Sequence, residues 1–277
     1  MVCRDGERDL LRLIVTKLGV LGHPIAHSKS PALHAAAYSA LGLDWNYSAY
    51  DVDEAGLEGF IADRGDGWRG LSLTMPLKRA VLPLLDWADP LVSLTGGANT
   101  VLFDGSAIHG FNTDVYGVWA ALSATGHSTY DRVSILGGGA TAASVIVAVE
   151  QLGADQVELL VRSEANAAPL VALGERLGLD VSVRALGGPV EADVVVSTLP
   201  GGTTHGTSFV GDALLLDVAY DPWPSSLAAG WNGEVVSGLE MLLHQALAQV
   251  SIFTTGRPDG ALPDEASILA AMRAAVA

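Results

Sequence analysis

The sequence predicts an α/β protein of two domains. Short apolar segments alternate with amphipathic helical segments along most of the chain, which is typical of parallel strands covered by helices. A glycine-rich turn joins a strand to a helix near the middle of the chain, as in Rossmann-type dinucleotide-binding domains. The length of 277 residues suits one large domain or two of ordinary size.

The first half contains five predicted strands and four predicted helices. Ser30 is a favoured N-cap residue and Pro31 suits the first position of a helix, so a helix is expected to begin there. Asp104-Gly105 predicts a tight turn between two strands. The predicted strands are 17–21, 45–52, 70–74, 99–103 and 108–111, and the predicted helices are 30–41, 57–62, 77–85 and 114–123.

A second unit begins at Asp131, after which the same alternation resumes. Loops are expected at 199–211 and 222–224, where glycine and proline are frequent, and residues 1–15 form an extension before the first strand. The predicted strands are 132–136, 156–161, 193–197, 213–218 and 234–237, and the predicted helices are 142–152, 240–253 and 265–276.

Composition excludes several classes of protein. Hydrophobic residues make up 49% and charged residues 17%, which allows sizeable cores, and the net charge of −16 argues against binding nucleic acid through a basic face. No apolar run approaches the length of a membrane span, and no secretory signal is recognisable. Cys3 is the only cysteine, which fits a cytoplasmic protein, and the scattered histidines predict no metal site.

Lysine is scarce, which makes its positions informative. Only Lys17, Lys29 and Lys78 occur, and Lys78 follows the strand predicted at 70–74. Asp114 stands just after another predicted strand. A cation and a carboxylate at strand ends are typical of a site that moves a proton on a polyhydroxylated substrate.

The glycine turn fits the dinucleotide fingerprint G-x-G-x-x-A. Glycine lets the backbone approach a pyrophosphate, and the N-terminus of the following helix offers free N–H groups to it. The turn residues concerned are Gly137, Gly139, Ala140, Thr141 and Ala142.

The end of the next strand indicates which dinucleotide binds. Arg162 and Ser163 favour NADP, because an arginine can pair with the 2′-phosphate. Glu164 supports the alternative, NAD, because an acidic residue there holds the ribose 2′-hydroxyl.

Six motifs, taken in order, resemble those of the shikimate dehydrogenase family. The resemblance runs from about residue 17 to 277, and its order makes it far more specific than the glycine turn alone. The motifs are Gly22–Pro31, Leu73–Lys78, Gly97–Thr100, Asn112–Asp114, Gly137–Ala142 and Gly238–Gln245.

This resemblance implies reversible reduction of 3-dehydroshikimate to shikimate with NADPH. It makes Lys78 and Asp114 the catalytic pair and gives Gly238 a place beside the cofactor. The substrate carboxylate would contact Ser28, Ser30 and Tyr220, and the ring hydroxyls would lie among Lys78, Asp114 and the side chains Thr74, Asn99 and Gln245. It also implies a substrate domain of 1–114 completed by 240–277, with a Rossmann-type NADP domain at 115–239.

Two positions depart from the family pattern and leave alternatives open. Ser72 stands where the family often has asparagine, and Asn166 stands where a second phosphate-binding arginine often lies. The alternatives are an NAD-dependent quinate/shikimate dehydrogenase and a non-catalytic ligand sensor on the same fold. Ser28-Lys29-Ser30 argues against a methylenetetrahydrofolate dehydrogenase-like enzyme. Both a monomer and a homodimer are compatible with the sequence.

Overall fold

Two six-stranded sheets dominate the structure. The computed structural model describes residues 15–128, 130–203 and 206–277. The predicted extension, apart from residue 15, and Cys3 lie outside these ranges. Among the helices of the described ranges, none has the length and apolar character needed to cross a membrane.

The strands and helices alternate along the chain. The strands are β1 (Thr16–Gly22), β2 (Trp45–Asp51), β3 (Trp68–Leu73), β4 (Trp87–Ala88), β5 (Thr100–Asp104), β6 (Ala107–Phe111), β7 (Arg132–Leu136), β8 (Gln156–Val161), β9 (Asp180–Ala185), β10 (Gly188–Glu191), β11 (Val194–Ser197), β12 (Thr207–Val210), β13 (Leu214–Asp217) and β14 (Val235–Ser237). The helices are α1 (Ser30–Ala40), α2 (Glu54–Ala62), α3 (Leu77–Ala80), α4 (Pro90–Thr95), α5 (Asp114–Ser123), α6 (Ala140–Gln151), α7 (Ala168–Arg176), α8 (Ser226–Ala229), α9 (Gly238–Thr255) and α10 (Glu265–Ala274).

The first sheet is mixed and has the order β2-β1-β3-β5-β6-β4. β1 runs parallel to both β2 and β3, whereas β5 is antiparallel to β3 and to β6. The predicted hairpin between β5 and β6 is therefore confirmed. Because β1 and β3 are parallel neighbours, the segments after Gly22 and after Leu73 leave the sheet at the same edge.

The second sheet is parallel throughout and has the order β14-β13-β11-β7-β8-β9. Its central strands are apolar and buried, as expected for a sheet with both faces covered. The chain builds outward from β7 through β8 to β9 and then returns to β11 on the other side of β7. Such a reversal of strand order leaves a crevice at the carboxyl ends of β7 and β11, where ligands of open α/β sheets bind.

Helices α5 and α9 join the two halves of the molecule. Val115 of α5 and Met241 of α9 pack into the core around α6, whereas Leu243 and Leu247 of α9 pack into the core around α1. The two helices approach closely at Gly117, where a Cβ atom would lie only 2.7 Å from the carbonyl oxygen of Met241. A side chain at Gly117 would therefore push the helices apart.

The predicted N-cap of α1 is wrong by one residue. Lys29 occupies the N-cap position with helical backbone angles, φ −84° and ψ −7°, and Ser30 is the first residue of the helix. Pro31 consequently stands one position later than predicted, still within the first turn, where its missing N–H costs no hydrogen bond.

Two other predictions are corrected. The helix expected over 77–85 divides into α3 and a 3₁₀ turn at Leu82–Leu84, because Pro83 has no N–H to continue the α-helical bonding. The loop expected over 199–211 contains β12, which pairs with β10 to form a small separate sheet.

Candidate active site

A cleft of about 350 Å³ lies where the first sheet, α5 and α9 face the second sheet. Every residue predicted to bind the substrate or act on it lines this cleft, together with Thr141 and Gly238 from the predicted cofactor set. The predicted substrate and catalytic residues are Ser28, Ser30, Thr74, Lys78, Asn99, Asp114, Tyr220 and Gln245.

Lys78 and Asp114 form an ion pair inside the cleft. The Lys78 Nζ atom donates to Asp114 Oδ2 at 2.6 Å, and the two side chains are 15% and 5% exposed. Lys78 is the second residue of α3 and Asp114 is the first residue of α5. The N-terminus of a helix attracts negatively charged groups, which suits Asp114 as the partner of the Lys78 ammonium.

Asn99 fixes the second oxygen of the Asp114 carboxylate. Its Nδ2 atom donates to Asp114 Oδ1 at 2.8 Å and to Gln245 Oε1 at 3.2 Å. Gln245 is held in turn because its Nε2 atom donates to the carbonyl oxygen of Leu242 at 3.0 Å. Because Asn99 holds Oδ1, the Asp114 carboxylate cannot rotate freely, and its Oδ2 atom keeps the Lys78 ammonium inside the cleft.

Hydroxyl side chains line one end of the cleft. Ser28 and Ser30 lie on the turn into α1, and the backbone N–H of Ser30 donates to Ser28 Oγ at 3.3 Å. Tyr220 reaches the same cleft from the segment after β13. Burial, with the nearby charge of Asp221, raises the pKa of the Tyr220 phenol above its usual value, so the phenol keeps its proton at neutral pH. Hydroxyl donors suit an anionic ligand group, whereas the carboxylate of Asp221, which also lines the cleft, opposes one.

The glycine turn opens the N-terminus of α6. Gly137 has φ of +107°, and a Cβ atom there would lie 2.4 Å from Thr198 Oγ1. Gly139 is the N-cap of α6, and apart from its two neighbours in the chain no described residue has an atom within 4 Å of where its Cβ would be. Since no side chain of the described residues caps α6, the N–H groups of its first turn are open to an anion.

The other predicted dinucleotide residues take different places. Arg162 and Ser163 follow β8 and are exposed, and Arg162 makes no ion pair with any residue that the structure describes. Ala142 is buried in the core of the second sheet, where it contributes packing. Ala140 is half-buried at the first position of α6. At Gly238, a Cβ would lie 2.1 Å from the carbonyl oxygen of Val218, so only glycine fits.

The buried polar side chains Gln249, Tyr47 and His34 are not among the site residues predicted from the sequence. Gln249 lines the cleft one helical turn after Gln245 and beside Ser72, which also lines it, whereas Tyr47 and His34 lie behind these two side chains. Gln249 repeats the position of Gln245 on an otherwise apolar helix face, and this spacing of four residues is the signal that could have revealed it.

Glu240 does not line the cleft. It forms a bidentate ion pair with Arg273, in which Arg273 Nη2 donates to Glu240 Oε2 at 2.8 Å, and so links α9 to α10. No group of three or more potential metal-binding side chains occurs within the described ranges.

A parallel sheet with an open glycine turn, facing a cleft that contains a lysine–carboxylate pair, defines a dinucleotide-dependent oxidoreductase. The model of the shikimate dehydrogenase substrate-binding domain matches residues 20–101. A shikimate dehydrogenase (NADP(+)) of Thermus thermophilus is 34% identical over 94% of this chain and 98% of that protein. The chain belongs to the shikimate dehydrogenase family.

Solved structures agree over nearly the whole length. Shikimate dehydrogenase of Mycobacterium tuberculosis is 38% identical, with a TM-score of 0.78 over 94% of this chain and 99% of that chain. Shikimate 5-dehydrogenase of T. thermophilus, crystallised in complex with NADP(H) and shikimate, is 31% identical, with a TM-score of 0.80 over 95% of this chain and 100% of that chain.

Proposed function

We propose that this protein catalyses the reversible NADPH-dependent reduction of 3-dehydroshikimate to shikimate. The observation that carries the proposal is the Lys78–Asp114 ion pair in a cleft that also contains Thr141 at the start of α6. The full-length similarity to NADP-dependent shikimate dehydrogenases supports the same reaction.

The reduced nicotinamide, when bound, supplies a hydride to the ketone carbon of the substrate. Lys78 then donates a proton to the ketone oxygen, which becomes negative as the hydride arrives, and shikimate results. In the reverse direction Lys78, as the neutral amine, takes the proton from the hydroxyl and becomes the ammonium again. Asp114 keeps the ammonium pointed at that oxygen, and Asn99 keeps Asp114 from turning away.

The remaining cleft residues position the substrate. Ser28, Ser30 and Tyr220 supply hydroxyl donors to the carboxylate. Such local donors are needed because the chain carries a net charge of −16, which makes its overall field unfavourable for an anion. Thr74, Asn99 and Gln245 surround the ring hydroxyls, together with the catalytic pair.

The open turn before α6 is the proposed dinucleotide site. Glycine at Gly137 and Gly139 leaves room for a pyrophosphate against the N–H groups of Ala140 and Thr141, with Ala142 packing the helix onto the sheet. Arg162 and Ser163 would contact the 2′-phosphate that distinguishes NADP from NAD. Gly238 would lie beside the nicotinamide, on the cleft side of α9.

The proposed domains follow the two sheets. Residues 1–114 with 240–277 would form the substrate domain, and 115–239 the NADP domain. We expect a cytoplasmic protein, because this biosynthetic reaction needs a cytoplasmic reductant and the chain has a single cysteine. Monomer and homodimer both remain compatible with the fold.

The test is the absorbance of reduced nicotinamide in four mixtures, in which shikimate or quinate is combined with NADP or NAD. Reduction confined to shikimate with NADP supports the proposal. Reduction of NAD with quinate accepted would instead indicate a quinate/shikimate dehydrogenase, consistent with Glu164 and Asn166. The absence of any reduction would leave a ligand-sensing role, which ligand-induced thermal shifts would then examine.

A further inference from the structure

A continuous chain of hydrogen bonds connects the carboxylate of Asp114 to the hydroxyls of Ser72 and Tyr47. The donor and the acceptor of each hydrogen bond can be assigned because backbone groups fix the orientation of the side-chain amides. The backbone N–H of Thr113 donates to Asn99 Oδ1 at 2.9 Å, so this atom must be the carbonyl oxygen of the amide. Asn99 Nδ2 then faces Asp114 Oδ1 and Gln245 Oε1, which are both acceptors.

The orientation of the Gln249 amide follows in the same way. Its Nε2 atom lies 3.3 Å from the carbonyl oxygen of Asn99 and 3.0 Å from Thr100 Oγ1. Thr100 gives its only proton to Asn99 Oδ1 at 2.8 Å, so it must accept from Gln249. A reversed amide would place two carbonyl oxygens against each other. Gln249 Oε1 therefore faces the other way, toward Ser72 and His34.

Gln249 Oε1 accepts from two groups. Ser72 Oγ donates to it at 2.8 Å, and His34 Nε2 lies at 3.2 Å. Because Oε1 cannot donate, His34 must carry its proton on Nε2, and its Nδ1 atom then accepts from the Tyr38 hydroxyl at 3.0 Å. His34 is fully buried, and burial lowers its pKa to about 3, so it stays neutral.

Ser72 is left without a proton for the cleft. Its hydroxyl proton is used by Gln249, so it can only accept from Tyr47, whose hydroxyl lies 2.7 Å away. One lone pair of Ser72 Oγ remains for a ligand, since Ser72 lines the cleft. The Ser30 hydroxyl also contacts that of Tyr47 and is the last group of this hydrogen-bond chain. It can therefore rotate so that its proton faces a ligand carboxylate.

We propose that Gln249 is a positioning residue that makes Ser72 an acceptor-only contact, so that the cleft selects a ligand with a hydroxyl donor at that point. The part of this inference that concerns ligand selection, called here the ligand half, depends on the proposed function, because shikimate supplies the ring hydroxyls. An oxygen or halogen without a proton at the same place would meet the lone pair of Ser72 and be repelled. Gln249 thus acts on specificity through Ser72 and not by contacting the reacting atoms.

The ligand test compares shikimate with analogues in which each ring hydroxyl in turn is replaced by fluorine. By calorimetry, the wild type should bind one analogue about tenfold more weakly than shikimate, since a hydrogen bond is replaced by a repulsion. In Gln249→Met, the freed Ser72 proton can turn to the fluorine, so this ratio should fall to about twofold. A purely structural role for Gln249 would weaken both ligands equally, and an unchanged ratio would overturn the proposal.

Ser72→Ala provides a second variant in case Gln249→Met does not fold. Removal of the hydroxyl removes both the contact and the repulsion, so the same ratio should again fall to about twofold. If the wild type discriminates against no fluorinated position, the acceptor-only assignment is wrong.

A ligand-independent measurement separates this inference from the proposed function. In ¹⁵N NMR spectra at pH 7, the His34 ring should show its proton on Nε2, with the signal assigned by its loss in His34→Asn. A proton on Nδ1 would overturn the direction of the chain. If none of the ligands binds while Nε2 carries the proton, the proposed function and the ligand half fail, whereas the direction of the chain stands.

Discussion

The ammonium of Lys78 lies 2.6 Å from the carboxylate of Asp114, although the two residues are 36 positions apart in the sequence. Each stands in the first turn of a helix that follows a strand of the first sheet. The pair therefore owes its geometry to the sheet, which brings the two strand ends together. Its function can be separated from its contribution to folding by substitution.

Replacement of Lys78 by alanine should lower kcat by about 10²–10⁴-fold, the usual contribution of a positioned proton donor. Shikimate binding should remain largely intact, because hydroxyls and amides make the other contacts. The measurement is kcat in both directions, with the shikimate Kd from calorimetry. Lys17→Ala, at an exposed position of β1, is the matched control and should keep normal rates. A near-normal rate for Lys78→Ala would contradict the proton role.

Two glycines of the same turn should respond differently to alanine. Gly137→Ala should lower the free energy of unfolding by about 1–3 kcal/mol or more, because φ of +107° and the Thr198 contact both oppose a side chain. Gly139→Ala should leave Tm within about 2 °C, since its backbone is extended and its surroundings are open.

The same pair should separate stability from dinucleotide binding. In thermal-shift titrations with NADP, Gly139→Ala should lose most of the ligand-induced rise in Tm, because a methyl group would occupy the space proposed for the pyrophosphate. Full retention of that rise would place the pyrophosphate elsewhere.

Arg162→Ala should raise KM for NADP by roughly 10–100-fold, the loss of a charge-assisted hydrogen bond to phosphate. KM for NAD, which lacks that phosphate, should change little. Arg176→Ala is the control, because Arg176 is also exposed and belongs to the same half of the chain. Equal effects on both dinucleotides would remove Arg162 from the phosphate site.

Stability should depend on pH through His34. Its pKa is lowered from 6.5 to about 3 by burial. Between these two pH values His34 is therefore protonated in the unfolded chain but neutral in the folded chain. The His34 contribution to stability is therefore complete above pH 6.5 and falls by about 1.4 kcal/mol per pH unit between pH 6 and 4. The partners of His34 are the uncharged side chains Tyr38, Tyr47, Gln249 and Phe253.

Urea unfolding of the wild type and of His34→Gln, at several pH values, isolates this effect. The other titrating groups are common to both proteins, so the difference between the two curves reports His34. The variant should show a shallower loss of stability below pH 6. Parallel curves would mean that His34 accepts a proton in the folded state.

The sequence predicted those site residues that stand at strand ends in recognisable motifs. Ser28, Thr74, Lys78 and Asp114 meet at one cleft, because strand order and direction leave their loops at a common edge. The contribution of Tyr47 could not be predicted, because the sequence of a strand does not show which side chain the hydroxyl of its tyrosine will hydrogen-bond.

Errors in local structure have equally specific causes. Ser30 has a good capping side chain, yet the backbone at Lys29 is already helical, which moves the cap back by one residue. The break after α3 was available in the sequence as Pro83, whereas the pairing of β10 with β12 depends on a tertiary contact that no periodicity records.

The close contact at Gly117 has different consequences for the two proposed sites. Asp114 and Gln245 sit on helices that admit no methyl group between them at Gly117, so backbone packing fixes the position of one relative to the other. Arg162 and Ser163, which follow β8, lie outside this contact. We therefore expect substitutions at Arg162 and Ser163 to change coenzyme preference without moving Asp114 or Gln245.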